Sequence, residues 1–159
     1  MNSAERARLI ARYREGPAAL EAAIAGISAD ELDFRPGAGE WTPREIVHHT
    51  ADSEMTSAIR LRKVLAEDDS MIQGYDEAEF ARRLHYDRRP IEPSLAAVRG
   101  ARESTASLLS ELTDEQWLRQ GTHADSGPYG VETWLEIYAA HCHDHADQVS
   151  RVRAGYRQR

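Results

Sequence analysis

Apolar residues recur along this chain at intervals of three and four, the spacing of one helix face, in four long stretches separated by glycine, proline and short polar runs. The first stretch, from about Ser3 to Ala25, carries Leu9, Ile10, Tyr13, Leu20 and Ile24 on its apolar side. Gly16-Pro17 in its middle is expected to kink or split it. A further short turn is expected at Ser28-Ala29-Asp30-Glu31, then a loop through Arg35-Pro36-Gly37-Ala38-Gly39. The second long helix has an explicit start: Thr42 can cap it, Pro43 fits the first helical position, and Glu45 completes a capping box. Val47, Ala51, Met55, Ala58, Leu61 and Leu65 carry its pattern to about Glu67.

Residues 68–93 read as a long excursion with a short helix around Glu77–Leu84. A third long helix is predicted from about Pro93 to Leu112, with Leu95, Val98, Ala101, Leu108 and Leu109. Thr113-Asp114-Glu115-Gln116 opens a short helix that includes Trp117, and residues 121–130 read as a polar loop. The last helix runs from Val131 to about Ala154, and its seam reads Val131, Leu135, Tyr138, Cys142, His145, Val149 and Val152. A histidine thus takes a seam position that otherwise carries packing residues. No run of alternating strand-like residues competes, and no repeat or linker interrupts the chain. The expectation is an all-α four-helix bundle, one domain over residues 1–159.

Composition narrows the function classes. The 159 residues suffice for one proper core, and 41% apolar with 30% charged fits a helix-rich globular protein. The formal charge of −7 argues against nucleic acid as the main partner. Arg82-Arg83 and Arg88-Arg89 are interleaved with Asp76, Glu77, Glu79 and Asp87, a solvated charged surface. No apolar run is long enough to span a bilayer and Met1–Arg6 lacks a signal-peptide core, so no membrane partner and a cytoplasmic location are expected. Cys142 is the single cysteine, which excludes an intramolecular disulfide.

The candidate chemistry lies among seven histidines, at 48, 49, 85, 123, 141, 143 and 145. His141 and His145 are one helical turn apart on the same face, a geometry in which two imidazoles can share a metal ion. Without an ion, the pair would need neighbours such as Asp144, Tyr138 or Gln148 as hydrogen-bond partners. A third ligand can come from His48-His49. Adjacent helical residues point about 100° apart, so at most one of these joins a common cluster. Periodicity favours His49, on the Val47/Thr50 side, and leaves the choice open; His48 is then exposed or bonded to Asp52. His143, rotated about 200° from His141, is expected to face solvent. His85 and His123 fall in irregular segments and carry no expected role.

Rival metal motifs are absent. Glu-x-x-His occurs only as Glu45-x-x-His48, which excludes a ferritin-like di-iron set, and Cys142 after His141 breaks H-E-x-x-H. One cysteine argues against a closed structural zinc site, whereas three histidines with one open position suit a catalytic one. Cys142 reads as packing. Trp41, Trp134 and Tyr138 read as core first and as substrate-contact candidates second.

The block Arg35-Pro36-Gly37…Glu40-Trp41-Thr42-Pro43-Arg44-Glu45-Ile46-Val47-His48-His49-Thr50-Ala51-Asp52-Ser53-Glu54-Met55, followed by His141-x-x-x-His145, resembles the DinB/YfiT-like superfamily. More narrowly it resembles the YfiT-like metal-dependent hydrolases, a group that includes bacillithiol S-transferases. The resemblance covers essentially the whole chain. It implies an up-down-down-up four-helix bundle with long connections and one divalent ion, zinc or nickel, held by three histidines. The family's first ligand, eight residues after the tryptophan, lands on His49, and the other two land on His141 and His145. The departures are Cys142-His143-Asp144 between the ligands and a short N-terminal segment; neither removes a ligand.

Two reactions fit such an ion: presenting a low-molecular-weight thiol to an electrophile, where the resemblance points, or activating water for hydrolysis. For the second, Asp52, Glu54 and Asp144 are the candidate bases. A non-catalytic metal-stabilised bundle would instead have a closed site, with Glu54 or Cys142 as fourth ligand and no adjoining pocket. A metal-free interaction module would keep the histidines as a satisfied polar core. Small-molecule partners are expected, and homodimerisation is in keeping with the family.

Overall fold

A computed structural model describes residues 1–158. In chain order the elements are α1 (Ser3–Ile24), α2 (Ala29–Leu32), α3 (Pro43–Ala66), β1 (Met71–Ile72), α4 (Glu77–Arg83), α5 (Glu92–Leu109), α6 (Asp114–Trp117), β2 (Gln120–His123), β3 (Gly127–Gly130) and α7 (Val131–Arg157). The four long helices are α1, α3, α5 and α7. No helix among the described residues is long and apolar enough to cross a membrane.

Contacts between particular residues give the helix directions. Arg6 of α1 meets Glu132 at the start of α7, and Arg153 near the end of α7 meets the Ala23 carbonyl near the end of α1, so these two run parallel. Along α3 and α7 the pairs run Ile46 with Val149, Glu54 with His141 and Ser57 with Trp134, an antiparallel crossing. His48 meets Ser94 and Arg62 meets Thr105, so α3 and α5 are parallel. Arg14 bonds the Ala106 carbonyl while Arg99 bonds Glu21, so α1 and α5 are antiparallel. The bundle is therefore up-down-down-up, the four-helix class the sequence implied.

Local chemistry explains the element starts. The Thr42 hydroxyl accepts from the Glu45 amide at 3.2 Å and the Glu45 carboxylate accepts from the Thr42 amide at 2.8 Å, closing the capping box that opens α3. Arg35 adds a 2.6 Å ion pair to Glu45, which ties the preceding loop to the helix start.

Two expectations need correction. Helix α1 neither splits nor ends at Pro17; it is continuous from Ser3 to Ile24. Proline has no N–H for the carbonyl four residues back. That carbonyl, on Tyr13, instead accepts from Arg102 Nη1 at 2.5 Å. The second correction concerns residues 121–130, which form a hairpin rather than a polar loop. β2 pairs antiparallel with β3 (Gln120 opposite Gly130, His123 opposite Gly127), and β1 joins β2 in parallel from fifty residues earlier (Met71 opposite Thr122). Gly127 at φ +82 supplies the left-handed residue of the tight turn. Smaller differences are the end of α7, at Arg157 rather than about Ala154, and of α5, at Leu109 rather than Leu112.

The core divides along the bundle. At the sheet end, Tyr13, Leu61, Ile72, Leu109, Trp117 and Trp134 belong to one buried cluster. Leu20, Val47, Ala51, Val98 and Cys142 form a second, and Ile46, Val149 and Val152 a third at the other end. Between the first two crosses a buried polar pair, Arg102 of α5 and Glu54 of α3. Gly16 makes room for it: a Cβ there would lie 2.8 Å from Cys142 Cβ and closer still to the Arg102 guanidinium. Gly16→Ala is therefore expected to lower the unfolding free energy by about 1–3 kcal/mol through overpacking. On an exposed helix face the same change would raise it by roughly 0.5–1 kcal/mol. Urea denaturation followed by circular dichroism distinguishes the two signs.

Candidate metal centre

The antiparallel crossing of α3 and α7 brings the early turns of α3 against the middle of α7. His49 lies in the second turn of α3, buried to 3% exposure. His141 and His145 come from α7, half-buried. Ring centroids are 4.8 Å apart for His49 and His145, 4.6 Å for His141 and His145, and 5.9 Å for His49 and His141. One ring nitrogen from each residue lies within 4.8 Å of the other two. The structure thus gathers the three histidines that the sequence singled out.

Hydrogen bonding leaves donor nitrogens facing the cluster. His141 Nδ1 is 2.8 Å from Glu54 Oε1. A carboxylate only accepts, so Nδ1 carries a proton, and in the neutral ring Nε2 keeps the free lone pair. His145 Nδ1 is 2.9 Å from Gln148 Oε1, which leaves its Nε2 free in the same way. His49 Nδ1 is buried with no hydrogen-bond partner, an orphaned polar atom at the cluster. Burial, then the neighbouring His145 and His141, hold the His49 pKa down at about 3. Burial and His141 hold His145 at about 4. At neutral pH these rings are neutral and available as ligands. Three convergent imidazoles, one lacking any other partner, fit a borderline divalent ion such as zinc or nickel.

One side of the cluster is open. A cavity of about 610 Å³ adjoins it, with His49, His145, Trp41, Gln148, Glu77 and Arg151 in its wall and Glu40 beside them. The Trp41 ring stands 4.6 Å from the His49 ring. The other side is closed by Glu54, fully buried, whose Oε1 accepts from His141 and from Arg102 Nη2 at 2.7 Å. Burial pushes the Glu54 pKa up, but the His141 and Arg102 bonds outweigh it and hold it below the usual carboxylate range. Cys142 touches the same carboxylate at 3.6 Å, and burial pushes its thiol pKa up, so it packs as a small apolar residue with Leu20 and Val98. Glu54, His141 and Cys142 form a second group of donors on this closed side.

Other singled-out residues go elsewhere. Asp52 does not meet His48: its carboxylate accepts from the Tyr86 hydroxyl at 2.5 Å. His48 is fully buried, with Nε2 donating to the Arg89 carbonyl at 3.1 Å and Nδ1 accepting from the Ser94 hydroxyl at 2.8 Å. It ties the end of the long excursion to α3. Asp144 is exposed and does not line the cavity. Trp134 is fully buried, donating to the Ser57 carbonyl at 2.9 Å and lying 5.2 Å from Tyr138. Tyr138, 5.3 Å from His141, is also core, so only Trp41 of the three aromatics reaches the cavity. His143 is half-buried rather than solvent-facing and donates to the Arg12 carbonyl at 2.9 Å.

Sequence reading passed over Arg102, although a signal was present. It sits in register with Val98, Thr105 and Leu109 on the buried face of α5, a charged residue in a packing stripe. Glu40 and Arg151 gave no comparable signal, because exposed charges are common on any helix or loop.

The family model described as the DinB superfamily matches residues 12–149. A Geobacillus thermodenitrificans protein named "Putative metal-dependent hydrolase" is 37% identical over 148 residues, 91% of this chain and 82% of its own length. YfiT of Bacillus subtilis, with the same descriptive name, is 33% identical over 141 residues, 87% of this chain and 78% of its own. A solved structure of YfiT, described as "a probable metal-dependent hydrolase with an unusual four-helix bundle topology", superposes with a TM-score of 0.90 at 30% identity, covering 96% of this chain and 87% of that one. Fold, helix order and sequence agree: the chain is a YfiT-like member of the DinB superfamily.

Proposed function

We propose that this protein is a metal-dependent enzyme in which His49, His141 and His145 hold one zinc or nickel ion beside an open substrate cavity, and that its reaction is transfer of a low-molecular-weight thiol to an electrophile. The observation that carries this reading is the three-histidine cluster opening on a cavity of about 610 Å³. A closed, purely structural centre would have no such cavity. When bound, the ion supplies Lewis acidity that lowers the pKa of a nucleophile presented to it.

The residues of this chain do the rest. Gln148 and Glu54 orient the His145 and His141 rings. Trp41 offers an aromatic wall beside His49, against which an apolar part of a substrate can stack. The choice of nucleophile rests on the absence of a free base among the expected carboxylates. Asp52 is engaged by Tyr86, Glu54 by Arg102 and His141, and Asp144 lies outside the cavity. A thiol, with an ordinary pKa near 8.5, ionises with little help, whereas water needs far more. The thiol proton passes to solvent, the sulfur forms a bond to an electrophilic carbon, and any leaving group departs with the electron pair. Hydrolysis is the second reading, favoured by the carboxylates of Glu40 and Glu77 at the cavity and by the names of the relatives.

Plasma mass spectrometry of protein purified without an affinity tag is expected to find close to one zinc or nickel per chain, and none in His49→Ala, His141→Ala. A metal-loaded wild type should then conjugate small thiols to a chloroaromatic electrophile, with at least a hundredfold loss in the double variant. Ester hydrolysis without thiol conjugation would favour the second reading. A wild type that takes up neither metal, even on addition, would remove the basis for both.

The metal-free protein should also be acid-sensitive. His49 and His145 titrate near 3 and 4 in the fold but near 6.5 when unfolded. Between these values the unfolded chain binds more protons, so stability is highest above about pH 6.5 and falls as pH drops. At pH 5 the expected loss is about 1–2 kcal/mol per histidine. Urea midpoints of chelator-stripped protein at pH 7.5 and 5 measure it, and His145→Gln should reduce the difference.

A further inference from the structure

Arg102 belongs neither to the histidine cluster nor to the cavity beside it, yet its contacts reach all four long helices. It stands on α5 with 1% exposure. Nη1 donates to the Tyr13 carbonyl of α1 at 2.5 Å. Nη2 donates at 2.7 Å both to Glu54 Oε1 of α3 and to the Tyr138 carbonyl of α7. The Tyr13 carbonyl is free to accept because Pro17 offers no amide hydrogen. The oxygen that Arg102 holds on Glu54 is the one that accepts from His141 Nδ1 at 2.8 Å. Glu54 Oε2 is buried with no hydrogen-bond partner, so only bonds to Oε1 fix the carboxylate's orientation.

We propose that Arg102 is a positioning residue for the metal centre, acting through Glu54 to hold the His141 ring with its proton on Nδ1 and Nε2 left for the ion. This rests on the three-histidine reading of the site, but its first consequence is visible without metal. The guanidinium pins the Glu54 carboxylate from one side while Tyr13 and Tyr138 pin the guanidinium from two other helices. The chain from Pro17 to His141 thus converts helix packing into the orientation of one imidazole. Outer-shell partners of this kind affect metal affinity by about 10–100-fold.

The test must separate positioning from mere stability, and a second buried arginine provides the comparison. Arg153 is 8% exposed and bonds the Ala23 and Ala25 carbonyls, far from His141. The experiment uses full-length metal-stripped protein: wild type, Glu54→Gln, the charge-neutral pair Glu54→Gln, Arg102→Met, and Arg153→Met. Long-range ¹H–¹⁵N spectra report the histidine tautomers, and competition with a chromophoric chelator reports zinc affinity. In Glu54→Gln, Arg102 still holds the amide oxygen toward His141, so the single Nδ1–H tautomer is expected to persist. In the pair, the amide can turn either its oxygen or its NH₂ group to the ring, so a tautomer mixture and a 10–100-fold loss of zinc affinity are expected. Arg153→Met should lower the unfolding midpoint with tautomer and affinity unchanged. A single Nδ1–H tautomer in the folded pair would overturn the proposal, as would an Arg153→Met loss of affinity equal to the pair's. If the wild type takes up no zinc, the metal reading fails on its own, and the tautomer comparison still decides the role of Arg102.

Discussion

A guanidinium and a carboxylate removed from water at the centre of a helical bundle each forgo several kcal/mol of hydration. Arg102 and Glu54 offset part of that through hydrogen bonds from Nη1 and Nη2 to fixed positions on separate elements, while Arg102 Nε and Glu54 Oε2 stay buried without a partner. The Tyr13 carbonyl comes from α1, the carboxylate from α3, the Tyr138 carbonyl from α7. A buried ion pair of this kind is weak evidence for net stability. Its physical consequence is register: sliding any one long helix past the others would strand a buried charge. Gly16, Pro17 and Arg102 are therefore one feature of the sequence, since the glycine admits the guanidinium and the proline supplies its acceptor.

Topology decides what this register serves. Because α3 and α7 are antiparallel neighbours, residues early in one helix face residues late in the other, and His49 meets His141 and His145. The parallel pair α3 and α5 requires the chain to return along the bundle, over roughly 36 Å for a helix of 24 residues. That return is the segment holding β1 and α4. A second long connection, from α5 to α7, holds β2 and β3. The parallel pairing of β1 with β2 joins the two connections to each other, at the end of the bundle away from the histidines.

These relations explain which parts of the molecule could be read from the chain. The long helices were legible because each carries a 3.6-residue stripe and explicit start signals, as in Thr42-Pro43-Arg44-Glu45. The sheet was not, because β1 pairs with β2 across about fifty positions, and the β2–β3 hairpin contains Gly121, Gly127, Pro128 and Gly130 rather than an alternating apolar pattern. The choice between His48 and His49 stayed open from periodicity for a specific reason. Residues 45–51 of α3 are all buried, covered by α7 on one face and by the segment around Arg89 and Ser94 on another. A residue's face cannot be inferred where no face is exposed. The family resemblance supplied that choice, and the ring distances are consistent with it.

The same comparison of environments separates a structural reading of the histidines from a catalytic one. Three neutral imidazoles bring no negative charge to a divalent ion, so in the proposed centre its full charge remains to act on a bound nucleophile. Glu54 could reduce that acidity by drawing electron density toward the ion through His141, as outer-shell carboxylates do. Arg102 opposes this, since it shares the oxygen that His141 uses and neutralises the carboxylate's charge. His145, by contrast, is oriented by a neutral amide. The arrangement thus fixes ring orientation on both α7 histidines while adding almost no net charge behind them. On the open side, Glu40, Glu77 and Arg151 keep the cavity polar without a ligand that would close it. A site built only to hold the bundle together gains nothing from an open position, whereas one that must present a nucleophile requires it.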